Sequence, residues 1–350
     1  MQRAPLAITA GDPCGIGPEI TLRALADLAG TTEGTPDCLV FGSLQALRSA
    51  AETAGLDARI EAGDRPTRWP SVTVASAWDT LGPLPVGEVT REGGRIAYFA
   101  IEGAVKSAVA GDVAGLVTGP ISKEALHLAG FPNTGHTELL GKLAGGYETC
   151  MMLVHDKLRV SHVSTHTALA NVPANLTPRR LTKVLELTID ALSAMDISKP
   201  RIAVAALNPH GGEGGMFGSE DTEVSLPVIE TFRRAGHYVQ GPVSGDTVFV
   251  KAIAGEFDAV IAMYHDQGHI PVKLLGFRID PDTGRWVDLS GVNMTLGLPF
   301  VRTSVDHGTA FDIAGKGIAS AQSMIEAIRL AHRLADHQAG GRTPERALGT

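Results

Sequence analysis

The sequence predicts an α/β fold built on an open, mostly parallel sheet. Short apolar runs of β type alternate with helix-length segments along the chain, as they do in repeated βαβ units. The 350 residues are enough for two domains. Three of the apolar runs lead into a histidine, which fits a fold that gathers its ligands at the carboxyl ends of its strands.

The individual elements follow from hydrophobic periodicity and from glycine and proline punctuation. Strands are predicted at residues 6–9, 38–41, 115–118 and 202–207. Helices are predicted from about residue 18 and over residues 44–54, 94–110, 176–195, 223–235 and 246–254. The residues after His337 are expected to be frayed or disordered.

Composition and charge argue against several classes of function. The formal net charge is −8, and no dense run of Lys and Arg occurs, so we expect a small-molecule partner and no nucleic acid. Cys14, Cys38 and Cys150 are odd in number and lack CxxC spacing, which indicates neither a disulfide framework nor a cysteine-based zinc site. The amino-terminal apolar run is too short for a signal peptide, and no stretch approaches membrane-spanning length. The expected location is the cytoplasm, with no membrane partner.

The three apolar runs that lead into histidine cover residues 160–166, 202–210 and 259–265, and they end on His166, His210 and His265. Three imidazoles at strand ends would converge on one cleft and bind a divalent metal, leaving coordination positions open for a substrate. This pattern favours a catalytic metal over a structural one. The alternative is that each histidine is an ordinary hydrogen-bonded loop residue. Asp266, next to His265, is available to orient the ring.

The glycine-rich turn GDPCGIGPE at residues 11–19 joins the first strand to the first helix. Pro18 and Glu19 suit the start of a helix, where a nucleotide phosphate could bind. The spacing is GxxxGxG, however, and neither the dinucleotide fingerprint nor a P-loop occurs in the chain. A tight strand-to-helix turn explains the glycines equally well.

Polar residues are concentrated in two further segments. TGHTELL at residues 134–140 places His136 and Thr137 ahead of a helical stretch, as at an anion-binding helix start. RTSVDHGTAFDIAG at residues 302–315 follows an apolar run and begins with Arg302, which could hold a phosphate or carboxylate with two hydrogen bonds. A solvated polar loop is the alternative for the second segment.

Several long motifs from Leu6 to His332 strongly resemble those of the 4-hydroxythreonine-4-phosphate dehydrogenases of pyridoxal phosphate biosynthesis. The resemblance implies two α/β domains with a cleft between them, as in isocitrate and isopropylmalate dehydrogenases, and a homodimer whose active site is shared between subunits. That fold binds NAD without the common fingerprint. The motifs are AITAGDPCGIGPEI, TGPISKEALHLAGFPNTGHTE, LNPHGGEGG with GSED, GPVSGDTVF, AMYHDQGHIPVK and GVNMTLGLPFVRTSVDHGTAFDIAGKG.

The resemblance also implies a set of site residues and domain limits. The metal ligands would be His166, His210 and His265, one of them from the partner subunit, with Asp246 beside the metal. Residues 1–130 with about 300–337 would form one domain, residues 131–299 the second domain, and residues 338–350 a tail. The implied substrate-binding residues are His136, Thr137, Lys273, Asn293 and Arg302.

The chemistry implied by the resemblance is oxidation followed by decarboxylation. A divalent zinc, cobalt or magnesium ion would bind the substrate hydroxyl while NAD or NADP accepts hydride, and the same ion would assist loss of carbon dioxide. The expected substrate is 4-phosphohydroxy-L-threonine and the expected product 3-amino-2-oxopropyl phosphate. Asp246 and Lys273 are the candidates for the proton acceptor, and the residues that bind the nicotinamide cofactor are not identified.

Three alternatives remain open, and one segment departs from the family pattern. GHIPVK and FDIAGKG resemble a sister branch that oxidises D-threonate or D-erythronate 4-phosphate. Enzymes that oxidise cis-diol carboxylates rank third, and a metal-dependent metabolite sensor is the alternative without catalysis. The departure is an insertion, RIDPDTGRWVDLS at residues 278–290, whose turn residues predict a β-hairpin. Its Arg278, Arg285 or Trp286 would lie near the cleft or the subunit interface if the hairpin is functional.

Overall fold

The computed structural model describes residues 4–32, 34–75, 78–79, 83–131, 135–282, 284 and 286–340. Within these residues the chain forms fourteen strands and eleven α-helices. The strands are β1 (Leu6–Thr9), β2 (Cys38–Phe41), β3 (Arg59–Ala62), β4 (Ser71–Ala75), β5 (Gly115–Thr118), β6 (Cys150–His155), β7 (Leu158–His162), β8 (Arg201–Ala205), β9 (Tyr238–Val243), β10 (Ala259–Ala262), β11 (Phe277–Ile279), β12 (Trp286–Leu289), β13 (Val292–Leu296) and β14 (Val301–Val305). The helices are α1 (Gly17–Ala29), α2 (Leu44–Ala54), α3 (Arg91–Ala110), α4 (Lys123–Leu128), α5 (His136–Leu143), α6 (Val172–Asn175), α7 (Pro178–Ala194), α8 (Leu226–Arg234), α9 (Val248–Ile253), α10 (His265–Gly276) and α11 (Gln322–Gly340).

Twelve of the strands form one sheet that runs through both halves of the molecule, in the order β3-β4-β2-β1-β5-β14-β13-β6-β7-β10-β8-β9. The first six strands in this order are parallel to one another. β13 is antiparallel to both of its neighbours, β14 and β6, and it joins the two halves. Beyond the antiparallel β6–β7 pair, the strands from β7 to β9 are parallel again. The predicted α/β class with two domains is confirmed.

The helices form where local sequence signals and burial agree. α2 coincides with the predicted helix at 44–54, because Ser43 caps its first turn by accepting a hydrogen bond from Ala46 N, and Gly55 ends it in the left-handed region at φ 64°. Strands β1, β2, β5 and β10 are buried along their whole length, since helices cover both faces of the sheet. Among the described helices, none has both the length and the apolar character needed to cross a membrane.

Helix α5 packs against the first half of the sheet. Its Leu139 and Leu140 are buried in the same apolar cluster as Ala100 and Ile101 of α3. The chain therefore enters the second half only at β6, one helix after the residue 130 at which the second domain was predicted to begin. At the other end of the chain α11 continues to Gly340, past the predicted start of the tail at 338, and residues 341–350 lie outside the described part.

The inserted segment is a β-hairpin, as predicted. β11 pairs with β12 in an antiparallel ribbon, with Phe277 opposite Leu289, and the register shifts between Arg278 and Ile279. The ring of Trp286 lies edge-on to that of Phe277, with ring centres 5.9 Å apart. Trp286 is exposed, and Arg285 lies outside the described residues.

Candidate active site

A cavity of about 340 Å³ opens where the two halves of the sheet meet. Residues from the β5–α4 connection, α5, α10, β13 and β14 line it. Seven of the nine residues predicted for the site are among them. These seven are His136, Thr137, His166, His265, Lys273, Asn293 and Arg302.

Arg302 lies in the interior strand β14 and is only 1% exposed. Its Nη1 donates to Thr295 Oγ1 at 2.8 Å and its Nη2 to Thr118 Oγ1 at 2.6 Å, while Nε has no hydrogen-bond partner within the described residues. Burial lowers the pKa of the guanidinium to about 9. The solvated loop considered for this segment is wrong at residues 302–305, because β-branched residues place them in a buried strand.

His136 and Asn293 present unsatisfied polar atoms at the same cavity. His136 is the first residue of α5, and its Nε2 is buried without a partner in the described structure. Burial, assisted by the positive charge of Arg302, holds the pKa of His136 well below its usual value, so the ring is neutral. The Oδ1 atom of Asn293 in β13 is also buried and unpaired among these residues. Buried polar atoms are normally satisfied, so these atoms indicate a polar ligand, and Asn293 Oδ1, which can only accept, calls for a donor on that ligand.

Lys273 on α10 is a fourth polar residue of the cavity. Its Nζ donates to the main-chain oxygen of Asp306 at 3.1 Å and to Asp306 Oδ2 at 3.2 Å. Burial raises the pKa of Asp306, and the charge of Lys273 opposes that shift. Nζ also lies 4.2 Å from the ring centre of Phe277, at the start of the inserted hairpin. Asp306 belongs to the RTSVDHGT motif, but the sequence analysis assigned it no role.

Two of the three predicted metal ligands face each other across the cavity mouth. The ring centres of His166 and His265 are 5.8 Å apart. Nδ1 of His166 lies 3.5 Å from Glu138 Oε1, and Nδ1 of His265 lies 2.7 Å from Asp266 Oδ1, the residue predicted to orient it. Because each carboxylate engages Nδ1, each Nε2 can serve as a metal ligand.

The histidines lie beyond the strand ends rather than on them. β7 ends at His162, four residues before His166, and His265 opens helix α10 three residues after β10. The prediction that each apolar strand ends on its histidine is therefore wrong in detail. Loops and helix starts, which lie at the surface, carry these histidines instead.

His210 and Asp246 do not line the cavity. His210 is exposed in an irregular turn at residues 209–215, where it adopts φ 54°. Asp246 is exposed in the turn between β9 and α9. No cluster of three or more His, Cys, Asp or Glu side chains suited to a metal occurs within the part of the chain that the structure describes. A single chain therefore brings together two of the three predicted metal ligands, His166 and His265.

A further histidine, which the sequence analysis did not assign, supports the pair. His269 stacks on His265 with ring centres 3.6 Å apart, and its Nδ1 lies 2.9 Å from the main-chain oxygen of His265. Burial lowers the pKa of His269 to about 4, so it adds no positive charge to the site. The four-residue spacing of His265 and His269 could have indicated this contact, because residues four apart on a helix are neighbours on one face.

The glycine-rich turn at residues 11–19 is closely packed. A Cβ atom at Gly11 would collide with the main-chain oxygen of Pro120, and one at Gly17 would collide with that of Ala10. Ile16 N donates to the main-chain oxygen of Thr309 at 3.0 Å. Packing therefore explains these glycines as parts of a tight turn.

Comparison with known proteins places this site in a family. The model of the family described as "Pyridoxal phosphate biosynthetic protein PdxA" matches residues 35–331. The chain belongs to the PdxA family. It is an oxidoreductase, since the similar proteins described below are named dehydrogenases.

Three similar PdxA-family proteins cover nearly the whole chain. A Bradyrhizobium diazoefficiens protein with the provisional name D-threonate 4-phosphate dehydrogenase is 55% identical over 339 residues, which is 96% of this chain and 98% of that protein. The 4-hydroxythreonine-4-phosphate dehydrogenase of Desulfosudis oleivorans is 45% identical and covers 94% of this chain and 95% of its own length. A crystal structure of 4-hydroxythreonine-4-phosphate dehydrogenase from Klebsiella pneumoniae superposes with a TM-score of 0.79 at 39% identity, covering 95% of this chain and 98% of that one.

Proposed function

We propose that this PdxA-family chain oxidises the 3-hydroxyl group of a 4-phosphorylated 3-hydroxy acid, and that the product then loses carbon dioxide. The first candidate substrate is 4-phosphohydroxy-L-threonine, which would give 3-amino-2-oxopropyl phosphate. The observation that carries the proposal is Arg302, a buried cation at the cavity. Burial lowers its pKa, and no carboxylate of the described chain opposes that shift. A buried charge is costly when it is unpaired, so a bound anion is its expected partner.

The charge of the cavity matches a substrate that carries both a phosphate and a carboxylate. Lys123, Lys273 and Arg302 line it together with one carboxylate, Asp306, which already pairs with Lys273. The unpaired Nε2 of His136 adds a polar contact beside Arg302. Charge-assisted hydrogen bonds of this kind are about twice as strong as neutral ones, which suits a small and highly charged metabolite.

The paired rings of His166 and His265 fit part of a divalent-metal site. Their Nδ1 atoms are engaged by carboxylates, and neutral imidazole suits zinc or cobalt, with magnesium a poorer match. A divalent ion held there would polarise the substrate hydroxyl and later the carbonyl that replaces it. His166, His265 and a third donor from elsewhere would hold the ion, and His210 is the proposed third donor.

The proton and the electrons can be followed through the proposed reaction. The C3 hydrogen leaves as hydride to the nicotinamide of NAD or NADP, and the hydroxyl proton passes to a base. The bond between C2 and the carboxylate then breaks, its electrons move toward the new carbonyl, and a proton is returned to carbon. The Lys273–Asp306 pair lines the cavity and can accept and return a proton, whereas the exposed Asp246 lies outside it.

A second copy of the chain is the proposed source of the third ligand. The outer faces of α9 and α10 expose apolar side chains, while Val248, Ala252 and Val272 on their inner faces are buried against the sheet. α10 also carries His265 and Lys273, so a subunit seated on this surface reaches the mouth of the cavity. The exposed side chains are Val250 (67%), Ile253 (51%), Ile270 (56%), Leu274 (76%) and Leu275 (43%).

Mixed dimers test the shared site directly. His166→Gln and His210→Gln should each be inactive alone, yet a mixed dimer would contain one site with all three histidines. Random assortment of subunits should then restore about a quarter of the wild-type rate in an equimolar, refolded mixture. His127→Gln, an exposed histidine on α4, is the control, and no activity in the mixture would contradict a site shared in this way.

D-threonate or D-erythronate 4-phosphate is the second candidate substrate, and its support is the name of a similar protein. The Bradyrhizobium relative, at 55% identity, carries the D-threonate name. The unpaired Oδ1 of Asn293 in the cavity could accept a hydrogen bond from either an ammonium or a hydroxyl group at C2, so the assay has to decide between the two acids.

A side-by-side assay decides both the activity and the substrate. Purified enzyme with zinc, cobalt or magnesium should reduce NAD or NADP with at least one of the two phosphorylated acids and release carbon dioxide. A higher kcat/KM for the hydroxy acid would select the second candidate. Absence of cofactor reduction with both acids, under every metal, would reject the proposed function.

A further inference from the structure

A second cavity, distinct from the active site, lies against the opposite face of β13. It has a volume of about 490 Å³. Val292 lines this second cavity, while the next residue, Asn293, lines the active-site cavity. Successive side chains of a strand point to opposite faces, so the two cavities share this strand. The turn between β6 and β7, the end of α7 and one face of α11 form the remaining walls.

Four cations line the second cavity, namely Lys157, Arg159, Arg329 and Arg333. Arg159 is partly buried, and its Nη1 donates to the main-chain oxygens of Lys157 at 3.0 Å and Asp258 at 3.3 Å. Its Nε is buried and has no hydrogen-bond partner among the described residues. Burial lowers the pKa of Arg159, the charges of Asp258 and Asp156 oppose that shift, and the like charge of Arg333 adds to it.

Three carboxylates, Asp156, Asp196 and Glu326, also line this cavity. Glu326 accepts hydrogen bonds from Ser290 Oγ at 2.7 Å, Gly291 N at 2.8 Å and Gln322 Nε2 at 2.7 Å. Asp196 is almost fully exposed and lies 3.7 Å from His337 Nε2. Asp156 is exposed at the tip of the β6–β7 turn, and its charge acts on Arg159. The lining thus has four cations and three carboxylates, an excess of one positive charge, together with the unpaired Nε of Arg159.

We propose that the second cavity binds a small organic anion that carries phosphate or several carboxylates. Guanidinium groups hold such anions through paired hydrogen bonds, and Arg159 and Arg333 are the residues assigned to this role. A cavity of several hundred Å³ accommodates a metabolite rather than a segment of protein. Active-site residues do not line it, so its occupant need not be the substrate.

The second cavity is connected to the active site through the root of the inserted hairpin. Ser290, in its wall, donates to Glu326 and lies 3.1 Å from His155 Nδ1. Ser290 N also donates to the main-chain oxygen of Gly276, the last residue of α10, three positions after Lys273. Arg159 of β7 lies opposite Val154 of β6, which lies opposite Val292, the neighbour of Asn293. An anion that draws Arg159 and Arg333 together would act on β13 through this pairing, so we expect a change in the substrate KM.

Soaking and titration test the binding site. Crystals of the whole enzyme soaked in tungstate should show an anomalous peak between Arg159 and Arg333. Calorimetric titration of the enzyme with pyrophosphate, and separately with citrate, should show one site that the double variant Arg159→Gln/Arg333→Gln weakens by about tenfold or more. The two titrants distinguish a phosphate ligand from a carboxylate ligand.

Matched variants separate the cavity from general electrostatics. Arg95→Gln/Lys106→Gln removes two charges from the surface of α3 and should bind as the wild type does. Arg333→Gln alone, on the exposed side of α11, provides the test if the double variant fails to fold. No peak in the cavity, or equal affinity in the double variant and the α3 control, would overturn the site. A substrate KM that pyrophosphate leaves unchanged would overturn the connection to the active site.

Discussion

Two sides of the active-site cavity are built in opposite ways. Arg302 and Asn293 form the proposed anion-binding side, and His166 and His265 form the histidine side. Arg302 and Asn293 lie on adjacent interior strands and are held by the sheet. His166 and His265 lie on loops and helix starts at the rim, and the third predicted ligand, His210, is outside the cavity. One side is complete within a single chain, while the other holds two of its three proposed ligands.

Under the proposed function, catalysis depends on assembly of two subunits, whereas substrate binding does not. A buried strand holds the guanidinium group of Arg302 in a fixed position. The proposed substrate-binding residues are therefore already positioned in a single subunit, before a dimer forms. The metal site is proposed to be completed only when a second copy covers the apolar face of α9 and α10. Substrate binding and catalysis should therefore respond differently to dilution and to substitution, and the following experiments use that difference.

The largest effect is expected on the histidine side. His166→Gln or His265→Gln removes one of the proposed metal ligands and should lower kcat about a thousandfold, because a catalytic metal supplies several kcal/mol of charge stabilisation. The melting temperature should change little, and chelator should no longer reduce the residual rate. Activity near that of the His127→Gln control would show that these rings bind no catalytic metal.

On the anion side a smaller, binding-type effect is expected. Arg302→Lys keeps the charge but loses the paired hydrogen bonds to Thr118 and Thr295, and should cost about 1 to 3 kcal/mol of substrate binding. The loss should appear mainly in KM. A substrate analogue without phosphate should be affected less if Arg302 holds the phosphate, and equal losses with both compounds would assign it to the carboxylate end.

The pH profile should separate the two sides. Burial raises the pKa of Asp306, so acidification neutralises this carboxylate at a higher pH than for an ordinary aspartate. The Lys273–Asp306 pair is then lost, and kcat/KM should fall as the pH drops through that raised pKa. At saturating metal, Asp306→Asn should remove this acid limb. A limb that persists in the variant but moves with metal concentration would belong to the histidine ligands.

The smallest effect is expected from the inserted hairpin. Replacing residues 279–288 by two or three glycines keeps Ser290 and costs little closure entropy, because that entropy changes slowly with loop length. The cation–π contact of Lys273 with Phe277 is retained, so kcat should change by less than about tenfold. We predict an altered ratio of kcat/KM between the amino and hydroxy acid phosphates. An unchanged ratio and an unchanged dimer would identify the hairpin as a neutral surface feature.

Local patterns were enough to predict the framework of the molecule. The helix at 44–54 and the strands at 6–9, 38–41 and 115–118 occur where periodicity and punctuation placed them. The hairpin at the insertion also follows from its turn residues. These features depend on contacts between residues that are near in sequence, so the sequence shows them directly.

Tertiary structure alone decided the environment of the functional groups. The polar segment that begins at Arg302 looked suited to a loop, yet the sheet buries it between β5 and β13, because long-range strand pairing outweighs local polarity. The pairing of Lys273 with Asp306, the stacking of His269 on His265 and the separation of His210 likewise depend on how distant segments pack. The sequence by itself determined which chemical groups are present and roughly which elements carry them. Only the fold decided which groups meet, because burial and proximity are properties of the packed chain.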